Sequence, residues 1–374
     1  MLMIGNLKKI DWIMLLSILP LLVAGLVTMK SFGSENDYFF WRQLIWIGAG
    51  LAVFFTLSFS DLRWLYSGPV LVLIYFLTNA LLLFLLMFGD ETKGAASWIR
   101  LGAFSAEPSE LAKVALILIL AKYFSRRHIE IANIRHIIIS GFYMLFPALL
   151  VFMQPDLGSA AVIGILWLGM VMASGISKKH FFILTGSVLL ASAFLWIFVL
   201  APYQKARIYS FLNPYLDPLG AGYHTIQSKI AVGAGGLFGR GIGFGSQSRL
   251  EFLPEHQTDF VFAAFAEEWG FFGSALLIAF FFLVVWRVAR AGFSLSDNFG
   301  RLYAAGLSVL LVSQFFIHVG MNTGVLPITG LPLPFVSYGG SHLITLFVAL
   351  GILASLKMKS SFLARETPDI YPHL

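Results

Sequence analysis

The stretch EFLPEHQTDFVFAAFAEEWG, residues 251–270, passes directly from a polar segment into a long apolar one. The 27 residues from Phe260 to Trp286 would extend about 40 Å as a helix, against a hydrocarbon core of about 30 Å. We therefore predict a tilted or protruding membrane helix over 260–286, with Thr258 as its N-cap and Asp259 in its first turn. For an isolated aspartate, such a position is most often ordinary helix-start chemistry.

The composition of the whole chain agrees with a membrane protein. Its 374 residues are 58% hydrophobic and 12% charged, with a mean hydropathy of +0.84, which excludes a soluble domain. The net charge is +6, but the basic residues form short clusters between apolar segments, which argues against nucleic acid as a partner. There is no cysteine, so disulfides and thiolate metal sites are excluded.

Ten apolar segments are long enough to cross a membrane, and the first is read as a retained helix rather than a signal peptide. The sequence thus predicts an all-α integral membrane protein with ten transmembrane helices, forming a single domain over 1–374. The predicted spans are 12–29, 40–59, 68–88, 109–124, 137–152, 157–174, 181–200, 260–286, 302–321 and 338–356.

The loops differ in their content of lysine and arginine. One set of connections carries 15 of these residues and the other carries 9, of which five lie in the single long loop 201–258. Because the positively charged side stays inside, we predict that both termini are cytoplasmic, that 358–374 is a cytoplasmic tail, and that 201–258 is an extracytoplasmic loop between helices 7 and 8.

Three unusual stretches fall on the predicted outer side, at 93–113, 201–258 and 320–341, and we expect them to converge. The last contains three prolines and several glycines, which exclude a continuous helix. Irregular backbone near a membrane survives only inside protein or beside water. We therefore expect a polar cavity open to the outside, with Ser337 and Tyr338 near its wall.

Carboxylates and a lysine mark two of the segments. Glu110 and Lys113 lie three apart on one face of a helix that Pro108 opens, so they can pair within the membrane. A structural ion pair and a direct role with substrate are equally compatible with this pattern. Asp156, in a short outer connection, is either a helix cap or a second site carboxylate. Glu267 and Glu268 lie too deep for free solvation, which favours structural partners.

The long loop is rich in glycine and in cations. It has no nucleotide-binding motif, so no nucleotide or organic cofactor is expected, and its glycines indicate a backbone that packs closely against a neighbour. Its cations suit a phosphorylated ligand, although solvated surface charge explains most single residues. They are Lys205, Arg207, Lys229, Arg240 and Arg249.

Five blocks along the chain resemble the signature blocks of the SEDS family, which comprises the RodA, FtsW and SpoVE proteins of bacteria. The blocks are Gly94 to Lys113, Gln154 to Gly158, Gly222 to Ser228, Phe252 to Phe260 and Leu326 to Gly340. The resemblance, which is stronger to RodA than to FtsW, implies a ten-helix glycosyltransferase of the bacterial cytoplasmic membrane. Such an enzyme polymerises lipid II at the outer face during cell elongation, with a class B penicillin-binding protein and other elongation-complex proteins as partners.

Carried over residue by residue, the resemblance implies that Asp259 is the essential aspartate and that Glu110 and Lys113 are essential. The chain departs from the family at three places. Glu107 stands where a glutamine is usual, Gln257 stands where a histidine is usual, and Ser97 replaces an arginine for which Arg100 is a candidate substitute.

The chemistry of lipid II polymerisation would require a base for the attacking hydroxyl and cations for the departing pyrophosphate. We assign the first role to Asp259, with a divalent cation, Mg²⁺ or Mn²⁺, as a hypothetical aid held by the same carboxylate. The candidates for binding substrate or supporting the site are Glu110, Lys113, Arg100, Asp156, Arg207, Gln227, Lys229, Arg240 and Ser337.

Two other classes of function remain open from the sequence. A lipid II flippase would use the buried charges along a pathway, but the two halves show no internal repeat of the kind common in transporters. A non-catalytic scaffold for a cell-wall complex would leave Asp259 dispensable. Within the family, a role in division or sporulation is the alternative to elongation.

Overall fold

The computed structural model describes residues 10–33, 37–89, 99–101, 104–126, 134–220, 222–250, 252–253 and 255–366. Each of the ten predicted spans coincides with a helix in these ranges, apart from residues at some of their ends. Ser97 lies outside the described residues, and so does the whole of 93–98 at the start of the first predicted outer stretch.

The described elements are helices, except for two short antiparallel strands that precede the fourth long helix. In chain order the elements are α1 (Trp12–Ser31), α2 (Tyr38–Phe59), α3 (Gly68–Phe88), β1 (Ile99–Leu101), β2 (Phe104–Ala106), α4 (Pro108–Ser125), α5 (Ile134–Met153), α6 (Leu157–Ala173), α7 (Lys178–Phe194, continued by a π-helical turn Leu195–Val199), α8 (Pro202–Leu212), α9 (Tyr223–Ala234), α10 (Ser246–Arg249), α11 (Val261–Phe293), α12 (Asn298–Thr323) and α13 (Gly340–Glu366). Single 3₁₀ turns lie at Arg63–Tyr66 and Pro214–Leu216.

Among the described residues, eight helices are long and apolar enough to cross a membrane: α1, α2, α3, α5, α7, α11, α12 and α13. The chain is therefore a multi-pass membrane protein. The two remaining predicted spans, α4 and α6, do not meet this criterion. Helix α6 has only 17 residues, and α4 carries charged side chains. Large apolar side chains such as Leu190 and Phe182 point outward from the bundle, as lipid contact requires.

The centre of the bundle is formed by α4 and α12. Helix α4 is buried on nearly every side, although it contains Glu110 and Lys113. It packs against α3, α6 and α12, while α13 lies along α2, and α11 lies against α1 and α12. Small residues permit this close packing: a β carbon at Gly306 of α12 would come within 2.7 Å of Ile117.

Helix α11 differs from its prediction at both ends. It begins at Val261 and continues to Phe293, so Thr258 is not its N-cap and Asp259 lies before its first turn. The helix is also broken at Gly270, where φ is 68° and ψ is −164°. The predicted membrane helix over 260–286 is thus present, but its break at Gly270 was not predicted, because a lone glycine in an apolar run does not reveal one.

The glycine-rich part of the long loop fills this break. In place of two helical hydrogen bonds, Arg240 N donates to Glu267 O at 2.9 Å and Gly241 N donates to Glu268 O at 3.0 Å. Phe271 N in turn donates to the carbonyl oxygen of Gly236 at 2.9 Å. The predicted close approach of this glycine-rich backbone to a neighbour is confirmed. A loop threaded against a kinked helix satisfies groups that a buried break would leave unpaired.

The two deep glutamates hold the same loop. Glu267 Oε1 accepts from Gln247 N at 3.1 Å, and Glu268 Oε1 accepts from Gly243 N at 3.0 Å. Their predicted structural role is confirmed, and Glu268 also hydrogen-bonds the side chain of Ser31 at the end of α1.

Candidate active site

Asp259 lies in a tight turn that connects the long loop to α11. The backbone N–H groups of Thr258 and Asp259 both donate to the carbonyl oxygen of Glu255, at 3.0 Å each. The Thr258 hydroxyl also donates to this oxygen, at 3.3 Å, instead of capping the helix. Glu255 has a φ of 49°, so the turn opens with a left-handed residue. The turn therefore presents a half-exposed Asp259 at the end of the bundle.

The proline-broken segment after α12 holds one side of this turn. Ser337 Oγ donates to Thr258 O at 2.7 Å, and Tyr338 N donates to Gln257 O at 2.9 Å. Ser337 is 3% exposed and its hydroxyl also accepts from Leu333 N at 2.8 Å. Ser337 thus lies beside the Asp259 turn, as predicted. Its hydroxyl is already hydrogen-bonded to the backbone of this turn and of Leu333.

Helix α12 holds the other side through Asn322. Its Nδ2 donates to Asp259 O at 2.9 Å, and its Oδ1 accepts from Ala263 N at 3.0 Å. The carboxylate of Asp259 faces Gly330, where a β carbon would come within 3.5 Å of Oδ2. The backbone of Asp259 is therefore fixed from two elements while its carboxylate lies over a glycine.

A second polar cluster surrounds the start of α4. Lys113 Nζ donates to Glu110 Oε1 at 2.7 Å, and both side chains are almost fully buried, at 0% and 1% exposed. Gln314 Nε2 donates to Glu110 Oε2 at 3.3 Å, and His342 Nδ1 lies 3.2 Å from the same oxygen. The predicted pair is confirmed, and its partners come from α12 and α13. Removing one member would leave the other buried without its counter-ion.

Asp156 caps α6, as one of its two predicted roles requires. Its Oδ1 accepts from Ser159 N at 2.9 Å, and Ser159 Oγ accepts from Lys113 Nζ at 3.4 Å. A β carbon at Gly158 would come within 3.0 Å of Thr329 O, next to the glycine under Asp259. One short segment, 329–331, therefore lies against Gly158 and also faces the carboxylate of Asp259.

Glu107 joins the same cluster immediately before α4. Its carboxyl oxygen Oε1 accepts from Ser109 Oγ at 2.6 Å, and its backbone N donates to Ser341 Oγ at 3.0 Å. Burial raises the pKa of Glu107 to about 8, and the nearby charges of Glu110 and Asp156 act in the same direction. The contact with Ser341 also confirms, for the described residues, that the stretches 93–113 and 320–341 converge, as predicted.

The structure places the predicted cations of the long loop on several different elements. Arg207 is exposed on α8, and Arg240 donates to Ala234 O at 3.3 Å and to Ser246 Oγ at 3.2 Å. Lys229 lies over Gly324, two residues beyond Asn322, and half-buried Gln227 is on the same helix, α9. Arg100 lies in β1, where its backbone pairs with Ser105. Among the predicted cations with described side chains, Lys229 thus lies close to Asn322, which hydrogen-bonds the Asp259 turn.

Arg42 is not among the site residues predicted from the sequence. Its guanidinium lies 4.7 Å from the centre of the Tyr38 ring and hydrogen-bonds the Tyr338 side chain. Burial raises the pKa of Tyr338, and Arg42 opposes that shift. The adjacent Gln43 donates to Ser337 O at 3.2 Å. An arginine near the outer end of a predicted span was the only sequence feature that marked this position.

The described side chains contain no group of three histidine, cysteine or acidic residues arranged to hold a metal ion. Asp259 would therefore supply a single carboxylate to a cation, with the remaining ligands coming from water or substrate. Magnesium is commonly held in this way, through one or two carboxylates together with phosphate oxygens.

Comparison with known proteins agrees with this arrangement over nearly the whole chain. The family model for FtsW, RodA and SpoVE, described as cell cycle protein, matches residues 7–362. Peptidoglycan glycosyltransferase MrdB of Escherichia coli K12 is 38% identical over 364 residues, covering 96% of both chains. Stage V sporulation protein E of Bacillus subtilis 168 is 38% identical, covering 94% of this chain and 98% of the other.

A solved structure gives the same result for the fold. A chain from work on structural coordination of polymerization and crosslinking by a peptidoglycan synthase complex superposes with a TM-score of 0.80, at 32% identity, covering 94% of this chain and 98% of that one. The protein therefore belongs to the FtsW, RodA and SpoVE family.

Proposed function

We propose that the protein is a peptidoglycan glycosyltransferase that polymerises lipid II at the outer face of the bacterial cytoplasmic membrane, with Asp259 as its catalytic carboxylate. The observation that carries the assignment within the site is the double bracing of the Asp259 turn, by Ser337 and by Asn322. Such bracing holds a reacting group in position before substrate arrives. Membership of a family with members named as glycosyltransferases supports the reaction type.

In the proposed reaction, the 4-hydroxyl of an N-acetylglucosamine attacks the anomeric carbon of the N-acetylmuramic acid on another chain. The new glycosidic C–O bond forms as the bond from that carbon to the pyrophosphate breaks, and undecaprenyl pyrophosphate leaves. Asp259 accepts the proton of the attacking hydroxyl. A single carboxylate on a fixed turn suits this role because its geometry does not depend on a flexible loop.

The departing pyrophosphate requires positive charge close to the turn. We assign this role to Lys229, beside Gly324, and to Arg42, beside Tyr338. Arg207, exposed on α8, stays a further candidate, whereas Arg240 is less suitable because it is hydrogen-bonded within the loop. A Mg²⁺ or Mn²⁺ ion at Asp259 would add positive charge between the carboxylate and the phosphates.

The proposed function also implies a membrane topology and a set of protein partners. Ten spans with both termini cytoplasmic would place the Asp259 turn and loop 201–258 outside, and 358–374, including the last turns of α13, inside. The similarity to a chain of a peptidoglycan synthase complex supports a class B penicillin-binding protein as the partner of this chain. A role in cell elongation, together with other elongation-complex proteins, follows from the likeness to MrdB.

The proposal is tested with purified protein in liposomes that contain fluorescent lipid II. We expect glycan strands that lengthen with time. The same assay with EDTA, and then with added Mg²⁺ or Mn²⁺, tests whether the reaction requires a divalent cation. Movement of the labelled lipid between leaflets is measured in parallel by quenching from outside. Leaflet exchange without glycan would contradict the enzyme and establish a flippase, whereas neither activity, even with the partner present, would indicate a scaffold.

A further inference from the structure

Helix α11 begins without a capping side chain of its own. The residue at its N-cap is Phe260, which has no side-chain hydrogen bond to the first turn. The first N–H groups of a helix lack partners within the helix, and the N-cap side chain usually accepts from the second or third of them. Here the third helical residue, Ala263, donates its N–H to Asn322 Oδ1 at 3.0 Å. A side chain of α12 therefore caps α11.

The nitrogen of the same Asn322 amide hydrogen-bonds the Asp259 turn. Asn322 Nδ2 donates to Asp259 O at 2.9 Å and to His318 O at 2.9 Å, so both of its hydrogens have acceptors. Rotating the amide by 180° would place its oxygen against two carbonyl oxygens, so the network permits one orientation. The side chain is 0% exposed. A fully satisfied, buried amide of this kind is a rigid connection.

Asn322 is itself anchored to the loop. The hydroxyl of Ser228, on α9, donates to Asn322 O at 2.7 Å. Three elements therefore meet at this residue: the loop helix that carries Lys229, the start of α11, and the turn of Asp259.

We infer that Asn322 is a positioning residue for the proposed reaction, acting through Asp259. This inference rests on the proposed function, because it requires Asp259 to be the catalytic carboxylate. Asn322 is buried beneath the turn, on its backbone side, so its removal should change the placement of the carboxylate more than the binding of lipid II. A displacement of about 1 Å at a reacting group can reduce the rate about 100-fold.

The test measures kcat and KM for lipid II with Asn322→Ala, Asp259→Ala and the wild type. Asn79→Ala is the matched control, since Asn79 is a buried helical asparagine on α3 whose Nδ2 donates to Tyr75 O at 2.7 Å. We expect Asn322→Ala to lower kcat at least tenfold while KM stays within about twofold. Asn79→Ala should keep kcat close to the wild-type value at an equal folded fraction.

Two results would overturn the inference while leaving the proposed function intact: a kcat within twofold of wild type for Asn322→Ala, or a raised KM with kcat preserved, when Asp259→Ala is inactive. An equal loss of kcat in Asn79→Ala would also overturn it, because general loosening of the bundle would then explain the loss. Full activity of Asp259→Ala would overturn both proposals. If Asn322→Ala does not fold, Asn322→Ser, which leaves a hydroxyl in the gap, should show the same loss of kcat.

Discussion

Gly330 lies directly beneath the carboxylate of Asp259, and a β carbon at this position would come within 3.5 Å of Asp259 Oδ2. Its φ of 76° is one that side chains other than glycine rarely adopt. Gly330→Ala should therefore strain the segment, by about 1 kcal/mol, and place a methyl group in van der Waals contact with the carboxylate. We expect a reduction of several-fold or more in the rate of lipid II polymerisation.

Gly175 provides the control for backbone strain alone. Its φ is 96°, but nothing lies within 4 Å of the β carbon that an alanine would add. Gly175→Ala should lower the thermal stability to a similar extent and leave the polymerisation rate unchanged. If both variants lose activity equally, contact with the Asp259 carboxylate is not the cause.

The buried pair of Glu110 and Lys113 predicts an asymmetry between single and double substitutions. Lys113→Met should destabilise the protein by about 3–5 kcal/mol, because Glu110 would keep a buried charge without its partner. Glu110→Leu combined with Lys113→Met removes both charges and should recover most of that loss. Thermal unfolding in detergent, followed by the loss of monodisperse protein, measures the difference.

Activity of the double variant then separates the two roles that the sequence left open for this pair. We expect the stable double variant to remain inactive, because the family resemblance implies that both residues are essential. Recovery of polymerisation together with stability would show that the pair is a structural ion pair only.

Glu107 predicts a pH dependence of stability. Its pKa is about 8 in the folded protein, against 4.5 as the ordinary value. As the pH rises from 4.5 towards 8, the unfolded carboxyl loses its proton while the folded one keeps it, so the folded state becomes relatively less stable. Glu107→Gln should flatten the melting temperature across this window. An equal slope in wild type and Glu107→Gln would refute the assignment.

A three-helix ion cluster at the opposite end of the bundle predicts a stability effect without a catalytic one. Asp11 accepts from Arg287 Nη2 at 2.6 Å and from Lys357 Nζ at 2.9 Å, and it caps α1. Although burial acts in the opposite direction, these two cations hold the pKa of Asp11 below its usual range. Asp11→Asn should cost about 2 kcal/mol and leave kcat unchanged.

The control for this cluster is Asp61→Asn. Asp61 pairs with Arg63 at 2.7 Å, but the two side chains are 49% and 80% exposed. Exposed pairs contribute little to stability, so this variant should melt close to wild type. Equal losses in the two aspartate variants would show that burial of the Asp11 cluster adds nothing.

Much of the fold could be predicted from hydropathy alone, because a lipid-facing helix must be apolar along about 20 residues. The exceptions are informative. The break at Gly270 depends on a loop more than 25 residues earlier in the chain supplying backbone partners, and such a long-range pairing leaves no local pattern. Helix α4 was predictable only from its apolar residues, since its charges are matched by Gln314 and His342 from distant helices.

The candidate site was predictable to a different extent. Glu110, Lys113 and Asp156 have the contacts that their local spacing suggests, because an i, i+3 pair and a helix cap are short-range features. The braces of the Asp259 turn were not predictable, since Asn322 and Ser337 reach it from other segments. Loop cations were the weakest predictions, because positive charge alone does not indicate where a loop folds.

The proposed reaction depends on the carboxylate of Asp259, which accepts the proton of the attacking hydroxyl. The most direct measurement compares wild type and Asp259→Asn, which keeps the shape of the side chain and removes its charge, in polymerisation of lipid II at equal folded protein. We expect Asp259→Asn to bind lipid II with similar affinity and to make no detectable glycan. Polymerisation by Asp259→Asn at the wild-type rate would contradict this expectation.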